Sequence, residues 1–339
     1  MTTPLHLAAL LAARPAMAQV PAATLALSER YFAGVGENNP ALRSALDREA
    51  YVAARMPATS AAVARSLALS AGPWLAEVDS VLDLGSGPGS ALWAVQEYCD
   101  ATTFTAFERD PGLIALGQAL AHEGPNPLPQ TTWIAGDLRT PSVFPQHDLV
   151  VISYAGNELD AASRQQLMTL AWHIARVAVL IVEPGSRTGA QHITAARDYF
   201  IQAGATIAAP CTHHQTCPLA DTSDWCHQRV RLARSRLHRL AKTGCRGFED
   251  EPFAFVCAVK TAATTPTPGT GRIIGSPQVT AAAANLPMCT ASGYSPVTIA
   301  RRDPAYKQAK RARWGDVWPP AAAGPADDDD SFAASADLK

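Results

Sequence analysis

The chain has 339 residues, 47% of them hydrophobic and 17% charged, with a formal net charge of -2. That length can bury one large core and a smaller appendage, which excludes a small scaffold stapled by disulfides. No apolar stretch approaches the length of a bilayer span, so no membrane is expected among its partners.

Leu5 to Ala13 is apolar, and Ala16-Met17-Ala18 resembles a signal-peptidase site. Residues 1 to 13 hold no Lys or Arg, however, and Arg14 falls between the apolar run and that site, so an amphipathic or frayed helix is the better reading. From residue 23 to 76, Leu25, Tyr31 and Phe32, then Leu42, Ala45, Leu46 and residues 50 to 54, recur at helical spacing around a break at Asn38-Asn39-Pro40. Residues 1 to 76 are therefore expected to form an N-terminal helical lobe.

Short aliphatic runs separated by helix-like stretches begin at Val78, the pattern of βαβ units on a parallel sheet. Strands are predicted at Ser80–Leu84, Thr103–Glu108, Thr131–Ala135, Leu149–Ser153 and Ala178–Glu183, with Phe253–Val259 at the far edge. An α/β domain over residues 77 to 260 follows.

The first strand runs into Asp83-Leu84-Gly85-Ser86-Gly87-Pro88-Gly89, and a helix opens near Ser90. Glycines in such a turn let backbone approach a ligand where side chains would occupy the space. Nicotinamide enzymes use G-x-G-x-x-G, whereas here the third glycine follows after two residues and an Asp precedes the loop. The arrangement resembles motif I of class I S-adenosylmethionine-dependent methyltransferases. Such a fold predicts an acid for the ribose after the second strand, supplied by Glu108, and a polar residue near the adenine after the third, supplied by Asp137. Ser153 and Tyr154-Ala155-Gly156-Asn157-Glu158 follow the fourth strand, where methyl donor and acceptor would meet. The Asn/Asp-Pro-Pro-aromatic loop of many base-nitrogen methyltransferases is absent there, and no Cys pair or general base for carbon methylation presents itself, so cofactor binding is better supported than turnover.

Cys211, Cys217 and Cys226 fall within sixteen residues. Thiolates are soft ligands for zinc or iron-sulfur clusters, and the x5 and x8 spacings differ from the C-x2-C pairs of zinc ribbons. A fourth ligand must come from farther away: Cys245, Cys257 or Cys289, with His213, His214 and His227 as nitrogen alternatives. Cys257, within a predicted strand, and Cys99 read as buried structural thiols. The odd total of seven cysteines, three of them clustered, points to a reducing cytoplasm.

A helix is predicted from Trp225 to Lys242. Arg229, Arg231, Arg234, Arg236 and Arg239 lie within it, three of them (Arg229, Arg236 and Arg239) on one face, so residues 209 to 247 read as a Cys-rich, basic insertion. Residues 261 to 278 look like a linker, and a last basic segment up to residue 319 carries Arg301, Arg302, Lys307, Lys310, Arg311 and Arg313. Residues 211 to 320 hold fifteen Lys and Arg against seven Asp and Glu. Both basic stretches can neutralise phosphates, and recognition of structured RNA by shape is the expected mode. Residues 320 to 339, with Asp327 to Asp330, read as a disordered acidic tail.

Several dispersed segments occur in order: Tyr51-Val52-Ala53-Ala54-Arg55-Met56-Pro57-Ala58-Thr59, the glycine turn, Val182-Glu183-Pro184-Gly185-Ser186, Ala209-Pro210-Cys211, Cys217-Pro218-Leu219, Trp225-Cys226-His227, Phe248-Glu249-Asp250-Glu251 and Arg313-Trp314-Gly315-Asp316. Over residues 25 to 319 the chain resembles the methyltransferase-like proteins of the small ribosomal subunit, a family with mitochondrial members. The resemblance implies a [4Fe-4S] cluster on Cys211, Cys217, Cys226 and Cys289, and binding to small-subunit ribosomal RNA during assembly. The expected protein is thus a monomeric, cytoplasmic, S-adenosylmethionine-binding iron-sulfur factor in ribosome assembly or rRNA methylation. The alternative is a methyltransferase for a protein or small molecule with a structural zinc.

Overall fold

The computed structural model describes residues 4–14, 17–33, 42–123, 127–140, 143–220, 222–242, 246–260 and 270–320. The expected break at Asn38-Asn39-Pro40, the candidate ligand Cys245 and the acidic tail from residue 321 lie outside them.

Four helices lead the chain: α1 (Leu5–Ala13), α2 (Val20–Ala33), α3 (Ala45–Ala54) and α4 (Met56–Leu69). The Ser44 side chain caps α3 by accepting from the Asp47 amide, which satisfies a donor the helix cannot pair internally. Asp47 also pairs with Arg30 of α2, tying the two helices. α4 is buried on nearly every side, which follows from a sequence of small residues wedged between the sheet and other helices.

β1 (Ser80–Leu84), α5 (Ser90–Val95), β2 (Thr103–Glu108), α6 (Pro111–His122), β3 (Thr131–Ala135), β4 (His147–Ser153), α7 (Ala161–Ile174), β5 (Ala175–Pro184), α8 (Arg187–Gln202) and β6 (Thr206–Ala209) follow. β7 (Gln228–Ala233), α9 (Arg236–Ala241) and β8 (Phe248–Val259) complete this body. The sheet order is β3-β2-β1-β4-β5-β8-β6, with β7 pairing the first part of β8. β1 is parallel to both β2 and β4, while β8 is antiparallel to β5 and β6. This doubly wound, Rossmann-like arrangement is the expected one, and the order reverses beside β1, where such sheets bind ligands at their carboxyl ends. β4 is buried throughout, as a parallel strand covered on both faces must be. Residues of α1, α4, α5 and α6 cover one face and those of α7 and α8 the other.

Three expectations need correction. β8 lies between β5 and β6 and so is interior, because β6 adds outside it. The expected helix from Trp225 to Lys242 is mostly strand: Val230 and Leu232 are buried and alternate with exposed Arg229 and Arg231, a period of two. Only Arg236 and Arg239 lie on the short helix α9. The third concerns residues 261 to 319, read as a linker and a basic segment, of which 261–269 lie outside the described residues. From residue 271 they form a second sheet of β9 (Gly271–Ile273), β10 (Gln278–Val279), β11 (Ala283–Thr290), β12 (Gly293–Ala300) and β13 (Val317–Trp318), with α10 (Tyr306–Ala309) packed on it. Buried and half-buried residues alternate along β11, and Ile273, Leu286, Met288, Ile299 and Trp318 form a core separate from that of the large sheet.

Candidate functional site

The turn after β1 is left-handed at Gly85 (φ 79°), Gly87 (54°) and Gly89 (82°). A β-carbon at Gly85 would also sit 2.7 Å from the Ala155 methyl, so the turn and the β4 loop can come this close only without a side chain. Glu108, at the end of β2, closes the turn from the other side. Its Oε2 accepts from the Gly87 N–H (2.9 Å), and its Oε1 accepts from the Arg109 and Asp110 amides (2.9 Å each). Burial raises the Glu108 pKa against those three hydrogen bonds. Asp110 caps α6 through the Gly112 and Leu113 amides and is held by Arg48 of α3, which docks the helical lobe onto the glycine-turn end of the sheet. The Tyr51 hydroxyl lies 3.6 Å from the β-carbon position of Gly87, so α3 roofs the turn.

The remaining expected cofactor residues differ in their freedom. Asp83 is fully buried beneath the turn with neither oxygen partnered; burial and then the nearby Glu108 charge push its pKa to about 8. Ser86 is buried in the turn itself. Asp137 accepts from the Arg139 amide (2.8 Å) and pairs with its guanidinium, so its carboxylate is already engaged. Ser153 ends β4, buried, beside Tyr154.

Beside the expected loop after β4, the residues Glu183 of β5 and Glu251 of β8, to which the sequence assigned no chemical role, come close to Tyr154 and Gly156. Tyr154 has a positive φ of 58°, and its hydroxyl donates to Glu251 Oε1 (3.1 Å). Glu183 accepts from the Gly156 N–H (3.0 Å), its other oxygen has no partner, and burial raises its pKa to about 8. Arg55 stands over the Tyr31 ring and acts electrostatically on Tyr154 and Glu251. Tyr51, Arg55, Glu183 and Glu251 all belong to the dispersed segments that carry the resemblance, and that was the available signal.

Cys211, Cys217, Cys226 and Cys289 line one cavity together with Arg197 of α8. Cys211 follows β6, Cys226 precedes β7 and Cys289 comes from β11 of the second sheet. Burial raises the Cys211, Cys226 and Cys289 pKa values, that of Cys289 to about 12, and each is raised further by other thiols of the set. Two buried cations oppose this. Arg197 Nε lies 3.2 Å from Cys211 Sγ, and Arg272 of β9 acts on both Cys211 and Cys226. His213 Nε2 is 3.8 Å from Cys289 Sγ. Cys257 packs in the core on the opposite face of the sheet, within electrostatic reach of Cys99, which removes it from the candidate ligands. Among the described residues, no three or more His, Cys, Asp or Glu side chains are placed to hold a metal ion, so the expected metal-binding insertion is not assembled around a common point.

The basic residues divide into two kinds. Arg231 pairs with Asp250 (2.7 Å) and Arg234 with Glu249 (3.0 Å), while Arg229 stacks on Trp314 and donates to Ser276. Arg236, Arg239, Arg301, Arg302, Lys307, Lys310, Arg311 and Arg313 are exposed and make no ion pair among the described residues.

Residues 45–319 match the family model described as mitochondrial small ribosomal subunit Rsm22. No curated protein matches the chain. Among solved structures it is similar to precorrin-6y C5,15-methyltransferase from Geobacter metallireducens, at 14% identity over 58% of this chain and 88% of that one, with a TM-score of 0.38. It is also similar to magnesium protoporphyrin IX methyltransferase from Synechocystis with bound SAM, at 16% identity over 69% and 91%, with a TM-score of 0.37.

Proposed function

The chain belongs to the Rsm22 family of the mitochondrial small ribosomal subunit, and from that premise we propose an S-adenosylmethionine-binding, iron-sulfur factor that acts on small-subunit ribosomal RNA in a cytoplasm, as a monomer. The observation that supports this reading is that Cys289 of the second sheet lines one cavity with Cys211, Cys217 and Cys226 of the body. Four sulfur donors suit soft metal centres, and the two buried guanidiniums favour an anionic one.

The cofactor turn fits S-adenosylmethionine in the same sense. Its three left-handed glycines leave room for a ligand, and Glu108 keeps lone pairs for ribose hydroxyls while its amide contacts hold it in place. When bound, S-adenosylmethionine supplies an electrophilic methyl group on sulfur; the chain's own part is to hold the nucleoside and to keep water from the closed end of β4. Exposed Arg301, Arg302, Lys310, Arg311 and Arg313 supply the phosphate contacts, and Arg236 and Arg239 extend them. Arg229, Arg231 and Arg234 are engaged within the protein and contribute less.

Anaerobic purification of the full chain, iron and sulfide analysis, and binding to small-subunit ribosomal RNA test the reading together. Wild type is expected to be brown, to contain iron and sulfide, and to bind the RNA in a salt-sensitive way; Cys226→Ser is expected to lose both properties. A colourless, zinc-containing protein without RNA affinity overturns the reading in favour of a protein or small-molecule methyltransferase.

A further inference from the structure

The second sheet has its own apolar core, and several hydrogen bonds and a stacked arginine join it to the body. Trp314 Nε1 donates to the His227 carbonyl (3.0 Å), Arg65 donates to the Trp314 carbonyl (3.2 Å), Arg229 stacks on Trp314, and Arg272 Nε donates to the Pro210 carbonyl (2.6 Å). The cysteine cavity lies in this seam. Cys211, Cys217 and Cys226 come from the body, and Cys289 from the sheet.

Arg272 stands directly opposite Cys289 in the β9–β11 register. The residue is 5% exposed, and its guanidinium donates to Pro210 beside Cys211 and to Gly315 (2.7 Å) and forms no ion pair among the described residues. Arg65 adds a like charge nearby, and Asp316 acts only from beyond ion-pair distance. Arg197 is similarly buried but keeps Asp198 as a partner at 2.6 Å. With neutral thiols the seam would therefore bury a cation without its counter-charge, an arrangement that costs stability. Thiolates bound to a metal centre supply that charge.

We propose that loading of the cysteine centre docks the second sheet on the body, with Cys289 as the sheet's own ligand and Arg272 as the buried counter-charge to the thiolates. The proposal rests on the iron-sulfur reading above and adds a consequence to it. Residues 301 to 313 follow β12 and carry α10, which packs on that sheet, so the centre fixes the orientation of the exposed cations relative to the glycine turn. Arg272 is a positioning residue here, acting through the centre and the seam.

Hydrogen exchange on the full chain tests this, comparing protein reconstituted anaerobically with ferrous iron and sulfide against the same protein after oxidation and chelation. Metal removal is expected to speed exchange in β9, β11 and β13 while β1, β4 and β5 keep their protection. Arg272→Met is expected to show the faster exchange even when loaded, and to shift the cluster's midpoint potential to a more negative value, because removing a buried positive charge disfavours the reduced, more anionic state. Arg272→Lys should restore the potential in part. If iron is taken up and exchange in the second sheet does not change, or rises equally throughout the large sheet, the docking role is wrong. If Arg272→Met leaves the potential where it was, the counter-charge role is wrong. A chain that takes up no iron overturns the iron-sulfur reading and this proposal with it, and iron analysis of the same samples separates that failure from the others.

Discussion

Placing a methyl group at Gly85 gives the most direct test of the cofactor turn. Gly85→Ala meets two obstacles. The left-handed backbone at φ 79° costs a residue with a β-carbon about 1–2 kcal/mol. The new carbon also lies 2.7 Å from the Ala155 methyl and 3.1 Å from Leu138 Cδ1. Leu138 can rotate, but the Ala155 methyl is fixed to the backbone of the β4 loop, so the loop must move, at about 1–3 kcal/mol for overpacking. The expected loss is therefore about 2–5 kcal/mol. Gly204→Ala is the internal control, because Gly204 has φ 85° and nothing within 4 Å of its added carbon. It should lose only the backbone part, about 1–2 kcal/mol. Urea unfolding of both variants isolates the packing part as their difference, and titration calorimetry with S-adenosylmethionine shows whether the displaced loop matters. Affinity should fall at least about tenfold in Gly85→Ala, which is 1.4 kcal/mol, and stay unchanged in Gly204→Ala. Equal destabilisation of the two variants, or unchanged affinity in the first, would refute the close approach of turn and loop as the reason for Gly85.

Asp83 and Glu183 have folded-state pKa values of about 8, raised by burial, against about 4 for ordinary carboxyls. The folded state thus holds their protons more tightly, and their contribution is fully present below about pH 4 and is lost as pH rises through about 8. Asp83→Asn and Glu183→Gln should gain on wild type by up to a few kcal/mol (order of magnitude) between pH 6 and 9 in urea midpoints, and parallel pH profiles would argue against buried, protonated carboxyls. Glu249 behaves oppositely: although burial opposes it, the His238 ring 3.1 Å away and a hydrogen bond from Lys242 hold its pKa far below the ordinary value. Its stabilisation is present above about pH 4.5 and disappears as pH falls through the depressed folded value, so Glu249→Gln should be less stable than wild type at pH 7 and converge with it in strong acid. For RNA, changing Arg301, Arg302, Lys310 and Arg311 to Gln should reduce the slope of log affinity against log salt by up to about 3, whereas changing the ion-paired Arg231 and Arg234 should move it by less than about 1. Slopes that fall by similar amounts in the two variants would show that the internal ion pairs do not withhold those arginines.

The parts that were legible in the sequence are those where local pattern and final environment agree. β4 and β5 carry continuous apolar runs, Leu149 to Ile152 and Val177 to Val182, and burial on both faces demands that composition whatever the rest of the chain does. The glycine turn was equally readable, because a left-handed backbone leaves a mark in residue identity itself. Arg229 to Lys242 failed for the opposite reason. Arginines at positions 229, 236 and 239 satisfy a helical period, while Val230 and Leu232 between arginines satisfy a period of two, and only the pairing of β7 with β8 decides between them. The missing acids that suggested a free basic surface were also misleading, since Glu249 and Asp250 reach Arg234 and Arg231 from the adjacent strand, a neighbour that no count along one segment contains. The second sheet was hidden by its Thr, Pro and Gly content, and by short strands whose partners lie far off in sequence, as with β9 and β13. Cys289 belongs with these long-range features. Its neighbours in sequence say nothing about metal, and it joins Cys211, Cys217 and Cys226 only because β11 pairs with β9 and Arg272 of β9 reaches back to Pro210. The fold of the large sheet is thus written in local composition. The composition of the candidate centre depends instead on how one sheet is set against the other, and that is also the property metal binding would control.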